Sequence, residues 1–200
     1  MAVIRAFIAI PLPGEIQQRL DQVMVELKQS LRTLPKNAVH WVPAGNIHLT
    51  LKFLGDVSLA NLDLLKKMLL AEVKEQPIFE FSLGGVGAFP NANRPRVVWV
   101  GIQAPQELQV LQSGIESMTE KLGYNREERP FSPHLTLGRV ARTATNQEAR
   151  QVGEALQAVK VGFLSVVRAQ EVHLFQSDLK PTGSVYTCLL SVSLSDKKDS

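Results

Sequence analysis

Apolar residues recur along this chain with two alternating periods, and the alternation predicts a run of short strands and amphipathic helices. Ala2 to Ile10, rich in Ile, Val and Phe and closed by Pro11 and Pro13, predicts a strand. Gly14 to Leu31 then sets Ile16, Leu20, Val23, Leu27 and Leu31 on one helical stripe. His40 to Val42 predicts a short strand, and Asn46 to Leu54 a longer one ended by Gly55-Asp56 as a turn. Ser58 is placed to cap a helix through Leu70. Phe79 to Val86 and Arg96 to Ile102 predict a hairpin around the loop Gly87 to Pro95. Pro105 to Leu122 predicts a helix stopped by Gly123, Pro133 to Val140 a strand, Thr145 to Val159 a helix. Val161 to Phe175 and Ser184 to Ser193 form a closing pair of strands.

Within this pattern the tetrapeptide His-Leu-Thr-Leu occurs twice, at His48 to Leu51 and at His134 to Leu137. Side chains alternate across a strand, so His48 and Thr50 share one face with Leu49 and Leu51 behind them, and His134 and Thr136 repeat the arrangement. The order around each copy is similar: motif strand, turn, helix, then strands. The fold class expected is α+β, with two pseudo-symmetric lobes of antiparallel strands around a central cleft and helices on the outside. Residues 1–195 are expected to form a single bilobal domain with one motif per lobe, and 196–200 a polar, disordered tail.

Composition narrows the setting. The chain has 200 residues, 44% of them hydrophobic, enough for a proper core, and its net charge of +3 tolerates an anionic ligand without demanding one. The single cysteine, Cys188, cannot form an internal disulfide and is expected as a small buried hydrophobe in a reducing compartment. No stretch approaches the ~20 apolar residues of a membrane span. The apolar start is cut by Arg5 and ended by prolines, so a strand is expected there rather than a signal peptide. A cytoplasmic monomer without membrane contact is the resulting expectation.

Two imidazoles facing each other across a cleft suit phosphoryl transfer. Attack and departure at phosphorus are roughly in line, so a base and an acid belong on opposite sides of the reacting atom. Histidine, with an ordinary pKa of about 6.5, serves either role near neutrality. Thr50 and Thr136 are placed to donate to non-bridging phosphate oxygens. A lone His-x-Thr is more often structural than catalytic; two copies with equal parity, equal leucines and a nearby basic residue, Lys52 or Arg139, reverse that balance. No metal and no cofactor are expected, because two His without a carboxylate or Cys cluster make a poor zinc site. No Gly-x-Ser-x-Gly elbow exists, and Gly84, Gly85 and Gly87 fall between strand-like segments rather than before a helix. His40 and His173 lack a Thr two residues on and are read as structural.

These residues resemble the two-histidine (2H) phosphoesterases with their paired HxTx motifs, specifically the bacterial and archaeal RNA 2′,3′-cyclic phosphodiesterase branch, historically called 2′-5′ RNA ligase. The likeness covers nearly the whole chain: Arg5 to Ile10, Trp41, Asn46 to Gly55, Gly87 to Pro90, Pro95 to Trp99, Phe131 to Arg139, Leu174 to Ser177 and Gly183 to Tyr186. The resemblance implies hydrolysis of RNA 2′,3′-cyclic phosphate ends to a 2′-phosphomonoester, with 2′-5′ ligation of tRNA halves as a reverse-direction activity. It further implies His48 as general acid, His134 as general base, and Thr50 and Thr136 as phosphate holders; the motifs themselves are too alike to tell acid from base.

Lys52 shares the strand face of His48, so it is a substrate contact in the cleft or a surface charge. Arg139 would face away from His134 on a regular strand unless Gly138 marks a bulge; it too is a phosphate or backbone contact or a surface charge. Phe7, Trp41, Phe131 and Tyr186 either stack on a base or pack in the core, the commoner use of aromatics. Two other functions stay open: a nucleotide- or RNA-binding module that kept the cleft without turnover, and a small-molecule cyclic nucleotide phosphodiesterase.

Overall fold

A computed structural model of the chain describes residues 2–181 and 183–196. Of the expected tail, 197–200 lies outside the described residues. Strand β1 (Val3–Pro11) leads into helix α1 (Gly14–Ser30), which buries Ile16, Leu20, Val23, Met24 and Leu27 on one side, as their spacing requires. Strand β2 (Val39–Trp41) and a 3₁₀ turn at Ala44–Asn46 precede β3 (His48–Ser58), the first motif strand. Ser58 Oγ caps α2 (Leu59–Lys74) by accepting from Ala60 N at 3.3 Å. Strands β4 (Phe79–Phe89) and β5 (Val97–Gln103), helix α3 (Gln106–Glu120), the second motif strand β6 (His134–Val140), helix α4 (Asn146–Ala158) and strands β7 (Phe163–Ala169), β8 (Glu171–Lys180) and β9 (Gly183–Ser193) follow. Thr145 and Glu148 close a capping box at the start of α4. No described helix is long and apolar enough to cross a membrane.

The described strands form one sheet in the order β7-β4-β5-β6-β3-β1-β8-β9, with β2 on β6, and every paired neighbour is antiparallel. Read outward from its centre, β3-β1-β8-β9 mirrors β6-β5-β4-β7. The two motif strands are the central pair, joined at Leu49↔Leu135. Beyond that point β3 and β6 part, and β2 takes the freed edge of β6 from Gly138 to Val140. The pseudo-symmetric α+β architecture expected from the repeated motif is therefore the one observed.

Helices exchange between the halves. α2 and α3 pack together behind β3, while α1 and α4 pair behind β7 and β4. Thus the helix following β1 crosses to the half centred on β6, and the helix following β5 crosses to the half centred on β3. The apolar backs of the motif strands close this core: Leu49, Leu51, Leu135 and Leu137 are buried with Leu65, Leu69, Leu108, Leu111 and Ile115.

Four local expectations are corrected. Gly55-Asp56 is no turn: β3 runs through it, with Gly55 at φ +67°, a left-handed conformation glycine adopts without strain, opposite Ala6 where the β1 pairing shifts. The expected loop Gly87 to Pro95 starts later, since β4 continues through Gly87 to Phe89; Trp99 of β5 lies over Gly87, where a Cβ would come within 2.4 Å of its ring. Val161 to Phe175 divides at Gln170 into β7 and β8, which pair on opposite halves of the sheet. The buried positions change phase there, Val167 and Ala169 before the division and Val172 and Leu174 after it, so the break in alternation is where one strand ends and the next begins. Cys188 is exposed, not buried, with Sγ 3.7 Å from His173 Nδ1.

Candidate active site

Continuing the antiparallel register from Leu49↔Leu135 puts His48 beside Thr136 and Thr50 beside His134. All four polar side chains are half-buried on one face, while the intervening leucines are buried on the other. Diagonal neighbours on an antiparallel pair stand about 7–8 Å apart, and the register makes His48 and His134 such a diagonal pair on one face of the sheet. A cavity of about 370 Å³ opens in front of this patch, lined by His48, Thr50, Thr136 and Arg139 together with Arg5, His40, Trp41, Asn46, Phe53 and Tyr186. His134 shares the strand face of Thr136 and lies beyond that lining.

Each motif strand is bulged at the same place. Thr50 pairs with Ala9 but Lys52 with Ile8, leaving Leu51 over; Thr136 pairs with Trp99 but Gly138 with Val98, leaving Leu137 over. The extra residue reverses the alternation beyond each threonine. In β6 this turns Gly138 inward against β2, where a Cβ would come within 3.0 Å of Val39 Cγ1 and 3.1 Å of Trp41 Cε3, and brings Arg139 round to the cavity. In β3 it turns Lys52 inward and leaves Phe53, at 67% exposure, on the cavity wall. Both readings of Lys52, cleft contact and surface charge, are thereby overturned: its ammonium is bonded in the interior to Glu116 and to the Asn125 carbonyl.

Both imidazoles are pinned alike. His48 Nδ1 donates to the Asn46 carbonyl at 2.8 Å, and His134 Nδ1 donates to the Ser132 carbonyl at 2.7 Å. A carbonyl only accepts, so each Nδ1 carries the hydrogen and each Nε2 is left as the atom that takes or gives a proton. Asn46 is itself held, its Nδ2 donating to the Ser184 carbonyl of β9 at 2.9 Å. Around His48 the ring of Phe7 stacks at 4.6 Å and Tyr186 presents an edge at 5.4 Å; Phe89 stands edge-on to His134 at 4.9 Å. Burial lowers the pKa of His48 below 6.5, partly offset by its bond to Asn46. Burial also lowers that of His134, offset by Ser132 and reinforced by the positive charge of Arg139. The charge of Arg139 thus adds to the shift of His134, while burial is the main cause at both rings.

The aromatic candidates separate. Phe7, 3% exposed, is the wall behind His48; Tyr186 and Trp41 are half-buried and line the cavity, Trp41 with Lys28 Nζ 5.7 Å from its ring centre. Phe131 packs against the core outside the cavity lining. His40, read as structural, is exposed at the cavity and sits across from Arg139 on β2. His173 is held by Glu171 at 2.7 Å, away from that lining. Arg5, His40, Asn46 and Phe53 are among the lining residues that sequence reasoning did not single out as site residues; for Phe53 the signal was present in the shared spacing of the two motifs, since it occupies the place of Arg139. Among the described residues no three His, Cys, Asp or Glu side chains converge as a metal site requires.

Comparison with known proteins gives a consistent result. A family model described as the 2′-5′ RNA ligase superfamily matches residues 13–180. An RNA 2′,3′-cyclic phosphodiesterase of Methanothermobacter thermautotrophicus is 34% identical over 184 residues, spanning 92% of this chain and 95% of its own. Among solved structures, a protein of Thermus thermophilus aligns with a TM-score of 0.77 at 28% identity, over 95% of this chain and 97% of that one. Escherichia coli LigT complexed with 3′-AMP aligns with a TM-score of 0.75 at 28% identity, over 96% and 99%.

Proposed function

Since the chain belongs to the 2′-5′ RNA ligase superfamily, we propose that it opens the 2′,3′-cyclic phosphate at RNA ends, yielding a 2′-phosphomonoester and a free 3′-hydroxyl. The carrying observation is the meeting of two identical motifs at Leu49↔Leu135 with both Nδ1 atoms engaged by carbonyls. His134 Nε2 takes a proton from the attacking water as its oxygen bonds to phosphorus. His48 Nε2 gives its proton to O3′ as the P–O3′ bond breaks. Thr50 and Thr136 donate to the non-bridging oxygens, and Arg139 adds charge where the transition state accumulates it. Relatives named RNA 2′,3′-cyclic phosphodiesterase, and a structural neighbour complexed with 3′-AMP, support this substrate class.

The family resemblance gives His48 as the acid and His134 as the base; burial lowers the pKa of both rings, and the charge of Arg139 further disfavours a proton on His134. An anionic substrate between the rings favours the protonated partner further. With a 5′-hydroxyl in place of water, the same proton transfers join two RNA ends through a 2′-5′ bond, and tRNA halves are the pair we assign to that reaction. Both histidines come from one chain, so a monomer suffices, and the unpaired thiol of Cys188 suits the cytoplasm.

The test is an oligonucleotide ending in a 2′,3′-cyclic phosphate, incubated with purified protein and a chelator, with the product isomer identified by ³¹P NMR. A 2′-phosphate is expected, lost in His48→Ala and in His134→Ala. A 3′-phosphate, or full turnover in either variant, would overturn the assignment. Saturable binding with no product would instead favour a binding module.

A further inference from the structure

A buried ion pair lies directly behind the first bulge. Lys52 Nζ donates to Glu116 Oε2 of α3 and to the backbone carbonyl of Asn125, both at 2.6 Å, and the Lys52 and Glu116 side chains are 4% and 10% exposed. Gln112 Nε2 donates to Glu116 Oε1 at 3.2 Å and reaches the carbonyl of Leu51, the residue that the bulge leaves over. Stability alone does not account for such a pair, because taking two charges out of water is unfavourable and an apolar pair of similar volume is often as stable. What the pair supplies is a fixed point. It binds a strand of the first half to a helix of the second, and its third arm reaches the connection that leads to the second motif.

We infer that Lys52 is a positioning residue for His134: its bond to the Asn125 carbonyl anchors one end of the irregular segment 125–133, and the other end of that segment supplies the Ser132 carbonyl that holds His134 Nδ1. Between these anchors the segment has no regular structure; Arg126 is tied to Ser117 and Glu120 at exposed positions, and Phe131 leans on the core. The second motif has Gly138 where the first has Lys52, so the tie runs one way, from the first bulge to the second histidine. The inference rests on the acid–base roles proposed above.

The experiment compares Lys52→Met, the double variant Lys52→Met with Glu116→Leu, and Glu116→Gln. Melting temperature, kcat and KM on the cyclic-phosphate oligonucleotide, and the ¹⁵N NMR pattern of the two imidazoles in the free protein are measured for each. The double variant, which leaves no buried charge unpaired, is expected to melt close to the parent. Its kcat is expected to fall about 10- to 100-fold, the scale of a small misplacement of a reacting group, with KM little changed. Its His134 signal is expected to lose the single Nδ1–H tautomer while that of His48 is kept. Glu116→Gln retains the Asn125 bond and is expected to keep the parental His134 pattern.

Parental kcat and parental His134 nitrogens in a folded double variant would overturn the inference. So would a loss of the tautomer in Glu116→Gln as complete as in Lys52→Met, since the ion pair and not the Asn125 bond would then govern it. The nitrogen pattern is read without substrate. A parent inactive on the oligonucleotide would therefore sink the acid–base roles and leave this result to decide the positioning role.

Discussion

Phe7→Leu tests how the protein tunes its proposed acid. The Phe7 ring stacks on His48 at 4.6 Å, stacks on Phe175 at 5.2 Å and meets Tyr186 edge-on at 5.0 Å. Leucine keeps most of the buried volume but none of the ring geometry. Losing the contacts with Phe175 and Tyr186, each worth about 0.5–1.5 kcal/mol beyond burial, predicts a destabilisation of about 1–3 kcal/mol. For a chain of this length that lowers the melting temperature by about 2–12 °C. The same change opens one side of His48 to water. Burial is the main cause holding the His48 pKa below 6.5, so the pKa moves up. An acid must be protonated to work, and the alkaline limb of kcat/KM in the free enzyme is the one His48 sets; that limb is expected to shift to higher pH. An NMR titration of the His48 ring gives the same shift without turnover. A melting temperature that falls while the His48 pKa stays fixed or drops would refute the idea that the Phe7 wall tunes the acid.

Arg139→Met removes the charge that opposes protonation of His134, so the acidic limb of the pH profile should move to higher pH. Its kcat/KM should fall about 10- to 100-fold, the worth of one charge-assisted hydrogen bond; an unmoved acidic limb would show that Arg139 does not act on His134. Gly138→Ala places a Cβ within 3.0 Å of Val39 Cγ1 and 3.1 Å of Trp41 Cε3. Overpacking of that kind costs about 1–3 kcal/mol, and an unchanged urea midpoint would mean that β2 gives way freely. Both histidines titrate below 6.5 in the folded protein, so protons bind the unfolded chain more readily in the window just under that value. Stability should be full above pH 6.5 and fall as the pH drops below it, which a series of denaturation midpoints from pH 8 to 5 reads directly (the range is about that of the two titrations).

Much of the fold was legible because its signals are local and periodic. The stripe Ile16, Leu20, Val23 and Leu27 gave α1, Ser58 and Thr145 marked helix starts, and the leucines behind each His-x-Thr gave both motif strands with the correct face. What strict alternation missed lay past the threonines. A bulge depends on the pairing partner, and nothing within Leu51-Lys52 says that Ile8 and Ala9 will face them with one residue too few. Gly138 carried a hint, since a glycine inside a strand often marks such a place, and the hint led to Arg139. Lys52 carried none: a lysine on an apparently exposed face is ordinarily solvated, and its burial requires Glu116, far along the sequence and on a helix that crosses from the other half. His40 was likewise invisible, because only the splaying of β3 from β6 makes room for β2 beside Arg139.

The central claim is that one phosphorus atom sits between the two imidazoles. It is tested most directly by a crystal structure with a nucleoside 2′,3′-vanadate, whose trigonal bipyramid mimics the in-line transition state. The Nε2 atoms of His48 and His134 are expected at about 2.6–3.2 Å from opposite apical oxygens, with Thr50 and Thr136 on equatorial ones. A vanadate touched by only one of the two rings, or bound elsewhere on the sheet, would contradict the account.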